Sequence, residues 1–291
     1  MGKNDFSHLL CMDFESWVVS RKINKFFLSN QKLRELDNGY ITSVLDSVLG
    51  MLKKYNQKIT FFVVFKLEEL CPGLLKKIQA EGHEIGWHGY SHSYITHEEI
   101  LKKELEASRN LLCKYNVKGF QAPNIVFFKE GYHILKDWGF LYSSSIYGNS
   151  RHIYNFDGIY ELPVSVANQS YNPSISDISF PSSISLENLF LFGIPFGSSY
   201  FWSILKKNYY AKKLSEYSKK KNVVNLFIHN WQLIIPKSKS KKYIPDEQEN
   251  FLKNPLFFPY KIPVKNMFEY LLANFRFQTC IEYLKAKGVE Q

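Results

Sequence analysis

Apolar residues recur along the chain in two alternating rhythms. HLLCMDF, His8 to Phe14, is a short apolar run that predicts a buried strand; just after it Ile41, Val44, Leu45, Val48 and Leu52 recur at helical spacing. KITFFVVF, rich in β-branched and aromatic residues, predicts a second strand, and a Pro-started helix from Pro72 to Ala80 is stopped by Gly82. HEIGWHG predicts a third strand, and Thr96 with Glu99 predicts a capping box that opens a helix running to about Tyr115. KGFQAP, a helix near Tyr132 to Trp138, LYSSSI and a strand at IYELPVSV continue the rhythm. LFGIPF, a long helix from about Tyr200 to Lys220, VVNLFIHNW, and helices around Val264 to Ala273 and toward Lys287 complete it. Such βα alternation predicts an α/β fold on a parallel sheet, open or closed into a barrel.

Two stretches break the pattern. Residues 168–187 are rich in Ser, Asn and Pro, and residues 236–263 carry several prolines and the basic run Lys237 to Lys242. With no repeat at a fixed period, one domain over 1–291 with two long loops is the simplest organisation. The 291 residues are 45% hydrophobic and 22% charged, enough to bury a core, which excludes disordered and collagen-like classes. The net charge of +10 favours anionic partners in general. No GxxxxGK[ST] loop and no base-reading or RNA-binding motif accompanies it, so nucleic acid is not an expected partner. Cys11, Cys71, Cys113 and Cys280 are far apart with no CxxC pair, which predicts reduced core thiols. The first residues show no secretion pattern and no 18-residue window is wholly apolar, so a cytoplasmic, soluble protein is expected.

The strongest chemical signal is HEIGWHGYSH. His88 and His92 stand four apart as the chain leaves a strand, a spacing that lets two imidazoles reach one zinc-type cation. A pair alone also fits a structural role, so a third ligand is needed. MDFES offers two carboxylates, Asp13 and Glu15, two apart at a strand end and so on one side of it. Acids at the end of an otherwise apolar strand are costly unless they serve a cation or an active site. Either could instead cap a loop. His8, His83, His97, His133 and His152 lack partners at ligand spacing and are expected at the surface or as caps.

FFVVF, HEIGWHGYSH, FQAPN, YELPVSV and LFIHNWQL, in this order, resemble the polysaccharide deacetylase (NodB homology) family. The resemblance implies a distorted (β/α) barrel with fewer than eight strands, and metal-dependent removal of N-acetyl groups from amino sugars. It implies Asp13 as general base, Glu15, His88 and His92 as ligands of one divalent ion, zinc by the donor set, and His229 as the acid that protonates the departing amine. Here Phe14 separates the two acids that are usually adjacent, Asn230 replaces the usual proline, and Gln232 replaces an acid. The backbone N–H of Asn124 is implied as the oxyanion donor. Gln121 stands where the family normally has an arginine beside the base; an amide can hydrogen-bond a carboxylate but cannot depress its pKa comparably. Trp231 is expected to stack on a sugar ring. Glu161 and Asp157 either orient His229 or the substrate, or are solvated.

The implied substrate is an N-acetylated amino sugar of a surface glycan or its cytoplasmic precursor, phosphate- or lipid-linked, handled in the cytoplasm with peripheral contact at the inner face of the membrane. Hydrolysis of another C–N bond, such as a cyclic amide, and a catalytically weakened sugar-binding protein are the alternatives. The sugar, its linkage and the oligomeric state are not legible.

Overall fold

A computed structural model describes residues 6–167, 180, 193–236, 259 and 262–289. The loops expected near 168–187 and 236–263, with the basic run Lys237 to Lys242, lie outside the described residues except at a few isolated or edge positions.

The strands are β1 (Ser7–Phe14), β2 (Thr60–Val63), β3 (Glu84–Trp87), β4 (Gly119–Phe120), β5 (Tyr142–Ser143), β6 (Tyr147–Gly148), β7 (Tyr154–Phe156), β8 (Ile159–Glu161), β9 (Val164–Ser165), β10 (Asn225–His229) and β11 (Arg276–Gln278). Nine of them form one sheet in the order β10, β1, β2, β3, β4, β5, β8, β7, with β11 joined to the start of β1. Pairing is parallel throughout this sheet except between β7 and β8. β6 and β9 form a small parallel pair.

Two-residue alternation sorts the side chains of these strands. Leu10, Met12 and Phe14 of β1, Phe61 and Val63 of β2, Ile85 and Trp87 of β3, and Leu226 and Ile228 of β10 pack against the helices. Leu9 and Cys11, Phe62, and Phe227 belong to a second cluster on the other face, together with Tyr142, Leu162 and Cys280. The sheet curls around this second cluster as a distorted (β/α) barrel, the architecture expected from the sequence. Gly86 is the inward residue of β3 because an added Cβ would lie 2.4 Å from the Phe62 ring. The same parity turns Asp13, His88, Gln121 and His229 inward at the carboxyl ends of β1, β3, β4 and β10.

The helix over Tyr40–Lys54 buries Val44, Leu45, Val48 and Leu52, as their spacing requires. The helices over Leu74–Ala80, Gly131–Asp137, Lys265–Asn274 and Cys280–Ala286 also fall where expected. Several expectations are corrected. The helix over Glu98–Lys114 is capped by His97 with no side-chain cap bond, and Thr96 Oγ1 meets the His97 ring instead of forming a box with Glu99. IYELPVSV is two strands in different sheets, since Pro163 has no N–H to carry the ladder through. The helix expected from Tyr200 begins only at Lys207, after a 3₁₀ turn over Ser199–Trp202. LFGIPF forms no strand in its described part, although Gly197 just beyond it links β9 to β10 by donating to Ser165 O and accepting from Phe227 N. Helices over Arg21–Asn24, Asn30–Asp37 and Lys66–Leu70, and strand β11, were not legible as elements.

His8 and His83 are buried, not superficial. His8 lies between Ser218 Oγ and the Val224 N–H, and His83 accepts the Ile59 N–H. Cys11 and Cys280 are core thiols as expected, whereas Cys113 is exposed.

Candidate active site

Four strand ends converge on the inward acids. Cα pairing puts Asp13 opposite His229 across β1 and β10, and opposite Phe62 across β1 and β2. Glu15 follows two residues later, just past the end of β1, its N–H held by Asn230 Oδ1 at 3.0 Å. A proline at 230 could not make that bond. His92 Nε2 lies 2.7 Å from Glu15 Oε2, and His229 Nε2 lies 3.4 Å from Glu15 Oε1 and 3.7 Å from Asp13 Oδ2. His88 Nε2 is 3.9 Å from Asp13 Oδ2. Ligand atoms of Glu15, His88 and His92 all fall within 4.8 Å of one another, a possible His/Glu metal site.

The residues fit a cation. His88 Nδ1 is 2.9 Å from the Gln121 carbonyl, which can only accept, so the proton sits on Nδ1 and the Nε2 lone pair is left over. That Nε2 is buried without a hydrogen-bond partner, as is Asp13 Oδ1. Burial, aided by His92, pushes His88 down to about 3, which keeps it neutral as a ligand must be. Two imidazoles and one carboxylate are a zinc-type donor set with room for further ligands.

Electrostatics separates the two acids. Burial, with the nearby Glu15, raises Asp13 well above the carboxylate range. Glu15 is also buried, but His92 and His229 beside it, and His88 beyond, outweigh burial and hold it below that range. His229 is lowered by burial against the pull of Glu15. Its Nδ1 meets Ser199 Oγ at 3.0 Å and Gln232 Oε1 at 3.1 Å, which leaves Nε2 facing the carboxylates. Gln232, where an acid was expected from the resemblance, thus orients the ring with an uncharged acceptor.

Gln121 is fully buried, and neither of its amide atoms has a hydrogen-bond partner. Asn124 sits in the turn over Pro123–Ile125 with φ 59°, a left-handed backbone. Trp231 stacks on His229 at 4.7 Å between centroids and donates its indole N–H to Glu15 Oε1 at 2.7 Å. Glu161 is fully buried rather than solvated, accepting from Tyr132 Oη and the N–H groups of Ser145 and Ile146; burial still pushes it up to about 7. Asp157 is exposed at the β7–β8 turn. Sequence reasoning missed the supporting set of Asn230, Ser199 and Gln232. Only the unusual letters at 230 and 232 hinted at it. Two surface hollows of about 540 and 400 Å³, around Tyr270 and around Trp138, lie away from these residues.

Residues 35–142 match the family model for polysaccharide deacetylase. The peptidoglycan-N-acetylmuramic acid deacetylase PdaA of Bacillus subtilis is 37% identical over 103 residues, 33% of this chain and 39% of that protein. A peptidoglycan-N-acetylglucosamine deacetylase of Bacillus cereus is 41% identical over 92 residues, 30% and 34% of the two chains. An uncharacterized 30.6 kDa protein of Geobacillus stearothermophilus is 35% identical over 92 residues, 30% and 35%. The matched stretches thus span well under half the length of these relatives. Among solved structures, PuuE allantoinase superposes with a TM-score of 0.55 at 14% identity, over 96% of this chain and 90% of that one. A Mycobacterium smegmatis protein described as a polysaccharide deacetylase gives 0.54 at 15%, over 100% and 94%. At such identity both show the shared fold.

Proposed function

We propose that the chain is a metal-dependent hydrolase that removes the N-acetyl group from an amino sugar of a surface glycan or its precursor. The observation that carries this reading is the cluster of Glu15, His88 and His92 within 4.8 Å, flanked by Asp13 and His229. The named activities of the Bacillus relatives support the reaction class. A divalent cation, zinc by its donor set, would be held by Glu15, His88 and His92 and would supply Lewis-acid polarisation of the acetyl carbonyl.

The chain's own groups account for the protons. Asp13, which burial makes a stronger proton acceptor than an ordinary carboxylate, takes the proton of the water whose oxygen adds to the acetyl carbon. The Asn124 N–H is the proposed donor to the oxyanion. His229, held through Nδ1, presents Nε2 and gives its proton to the sugar nitrogen as the C–N bond breaks, releasing acetate and the free amine. Trp231 fixes Glu15 and packs His229, and a sugar ring lies against this aromatic wall. Phe27, 94% exposed, and Phe26 stand with Lys22 and Lys25 on the β1–β2 connection beside the His92 loop, which supports a lipid-linked substrate met at a membrane surface.

The test is acetate release from N-acetylglucosamine oligomers and peptidoglycan fragments by metal-loaded protein. Release by wild type, abolished with His88→Ala, supports the reading; metal binding with ring opening of a cyclic amide and no acetate release overturns it. A second reading, a weakened sugar-binding homologue, is favoured by Gln121, whose buried amide has no hydrogen-bond partner among the described residues and brings no charge to Asp13. Sugar binding without acetate release, restored to hydrolysis by Gln121→Arg, would select that reading.

A further inference from the structure

The helix over Glu98–Lys114 carries an acid that the proposed chemistry does not use. Glu104 is only 5% exposed. Its Oε2 accepts the backbone N–H of Tyr90 at 2.7 Å and of Ser91 at 2.8 Å, and its Oε1 accepts the Ser91 hydroxyl at 2.5 Å. One turn further along the same helical face, Ser108 accepts the indole N–H of Trp87 at 2.9 Å. This face therefore grips the chain immediately before His88 and immediately before His92.

The opposite side of the loop is held as well. The carbonyls of Gly89 and Tyr90 accept the N–H groups of Phe65 and Lys66, each at 3.0 Å, and the Ser91 carbonyl accepts from Asn24 Nδ2 at 2.8 Å. From the Gly89 carbonyl to the Ser91 carbonyl, every main-chain polar group has a named partner, and both of the N–H groups go to one carboxylate oxygen. The loop needs such restraint because its backbone is left-handed twice, at Gly89 with φ 77° and at His92 with φ 59°. Glycine adopts that region freely, whereas a histidine stays there only when its surroundings hold it. An added Cβ at Gly89 would lie 3.1 Å from Glu104 Oε2, so the carboxylate also fills the space that the glycine leaves open.

We propose that Glu104 is a positioning residue for the metal site: by fixing Tyr90 and Ser91 it presents His92, in its left-handed conformation, beside Glu15 and His88. This rests on the reading of those three side chains as metal ligands. A carboxylate suits the role because it only accepts, and the loop offers it only donors. Glutamine can keep one oxygen for the two backbone N–H groups and turn its NH₂ toward the Ser91 hydroxyl, which can reorient to accept. Alanine can do neither.

The experiment is cobalt titration of the metal-stripped full chain, with amide hydrogen exchange at Tyr90 and Ser91 measured on the metal-free form. Glu104→Ala is expected to weaken cobalt binding about 10- to 100-fold, the range seen when a partner behind a ligand is lost. Protection of the Tyr90 and Ser91 amides should fall with it, while Glu104→Gln stays within about threefold of wild type on the scale of such effects. Wild-type cobalt affinity in Glu104→Ala overturns the proposal, as does equal weakening in both variants. If Glu104→Ala does not fold, Glu104→Asp, one methylene too short to reach the loop, replaces it; equal affinity of the Asp and Gln variants overturns the proposal. Should wild type bind no cobalt, the metal reading itself fails. Amide protection still judges the clamp in that case, and unchanged protection in the Ala or Asp variant refutes it.

Discussion

Asp13 and Glu15 are two residues apart on one strand end, yet their surroundings push them in opposite directions: burial lifts Asp13, and the neighbouring imidazoles depress Glu15. That split agrees with the proposed reading, in which the first transfers a proton and the second holds the cation. Asp13→Asn should therefore keep metal affinity while acetate release falls by ~10² to 10⁴; loss of bound metal in the same variant would exchange the two roles. A second residue-scale consequence concerns His8, which burial pushes down to about 4. The folded state binds fewer protons at His8 than the unfolded chain does. Its contribution is complete above the unfolded value of about 6.5 and is lost as pH falls toward 4, by ~3 kcal/mol in all. Urea unfolding at pH 7 and pH 4 should show this loss, and His8→Asn should flatten the dependence. The two pairs that meet in the candidate site, Asp13 with Glu15 and His88 with His92, were legible because each is local in sequence, with spacings of two and four. The groups that hold the site in place were not, because Asn230 reaches Glu15, Ser199 reaches His229 and Glu104 reaches the Tyr90–Ser91 loop from other elements. His8 looked superficial for a similar reason: Ser218 and Val224, which enclose it, lie more than 200 positions away.

At the scale of elements, the strand and helix rhythm was legible where a short run is apolar on both faces, as in β1 and β2, or where a helix shows one clear apolar face, as over Tyr40–Lys54. It failed where polar restraint replaces an apolar face: the helix over Asn30–Asp37 is polar on most sides and is held by the Ser29 cap and a left-handed Asn38. It failed again at the seam of the barrel. There β9 and β10 meet through Gly197, whose N–H and carbonyl bridge Ser165 and Phe227. A Cβ on Gly197 would lie 2.4 Å from Asn225 O and 2.7 Å from Ser165 N, both backbone atoms with no rotamer to change. Gly197→Ala is thus expected to destabilise the fold by at least ~2 kcal/mol, toward the upper part of the overpacking range. The same pathway should loosen His229, since β10 carries it. A denaturation midpoint equal to wild type would show that the seam opens without cost.

At the scale of the whole molecule, exposed basic and aromatic residues share the connection that leaves β1. The net charge of +10 is accompanied by Arg21, Lys22 and Lys25, all exposed on the connection that leaves β1 on the side of the ligands. Arg21 lies over the Tyr94 ring at 3.7 Å and Asn24 bonds to Ser91 O, so this connection is tied to the loop of His92. At its tip Phe27 holds φ 48° and is 94% exposed, an arrangement that costs hydration of a large ring in the free protein. Among the described residues no helix is long and apolar enough to cross a membrane. Each lysine near an anionic surface contributes on the order of 1 kcal/mol, and each buried phenylalanine ~1.5 to 3 kcal/mol. The full chain is therefore expected to sediment with vesicles containing phosphatidylglycerol and to stay in solution with pure phosphatidylcholine. Phe26→Ser with Phe27→Ser should weaken that binding tenfold or more, and Lys22→Glu with Lys25→Glu should make the remainder less sensitive to salt. Acetate release from a short soluble N-acetyl sugar should be the same in all of these proteins, because none of the four positions is among the residues assigned to the candidate site. Binding to both vesicle types alike, or to neither, would remove the membrane from the account and leave a soluble substrate.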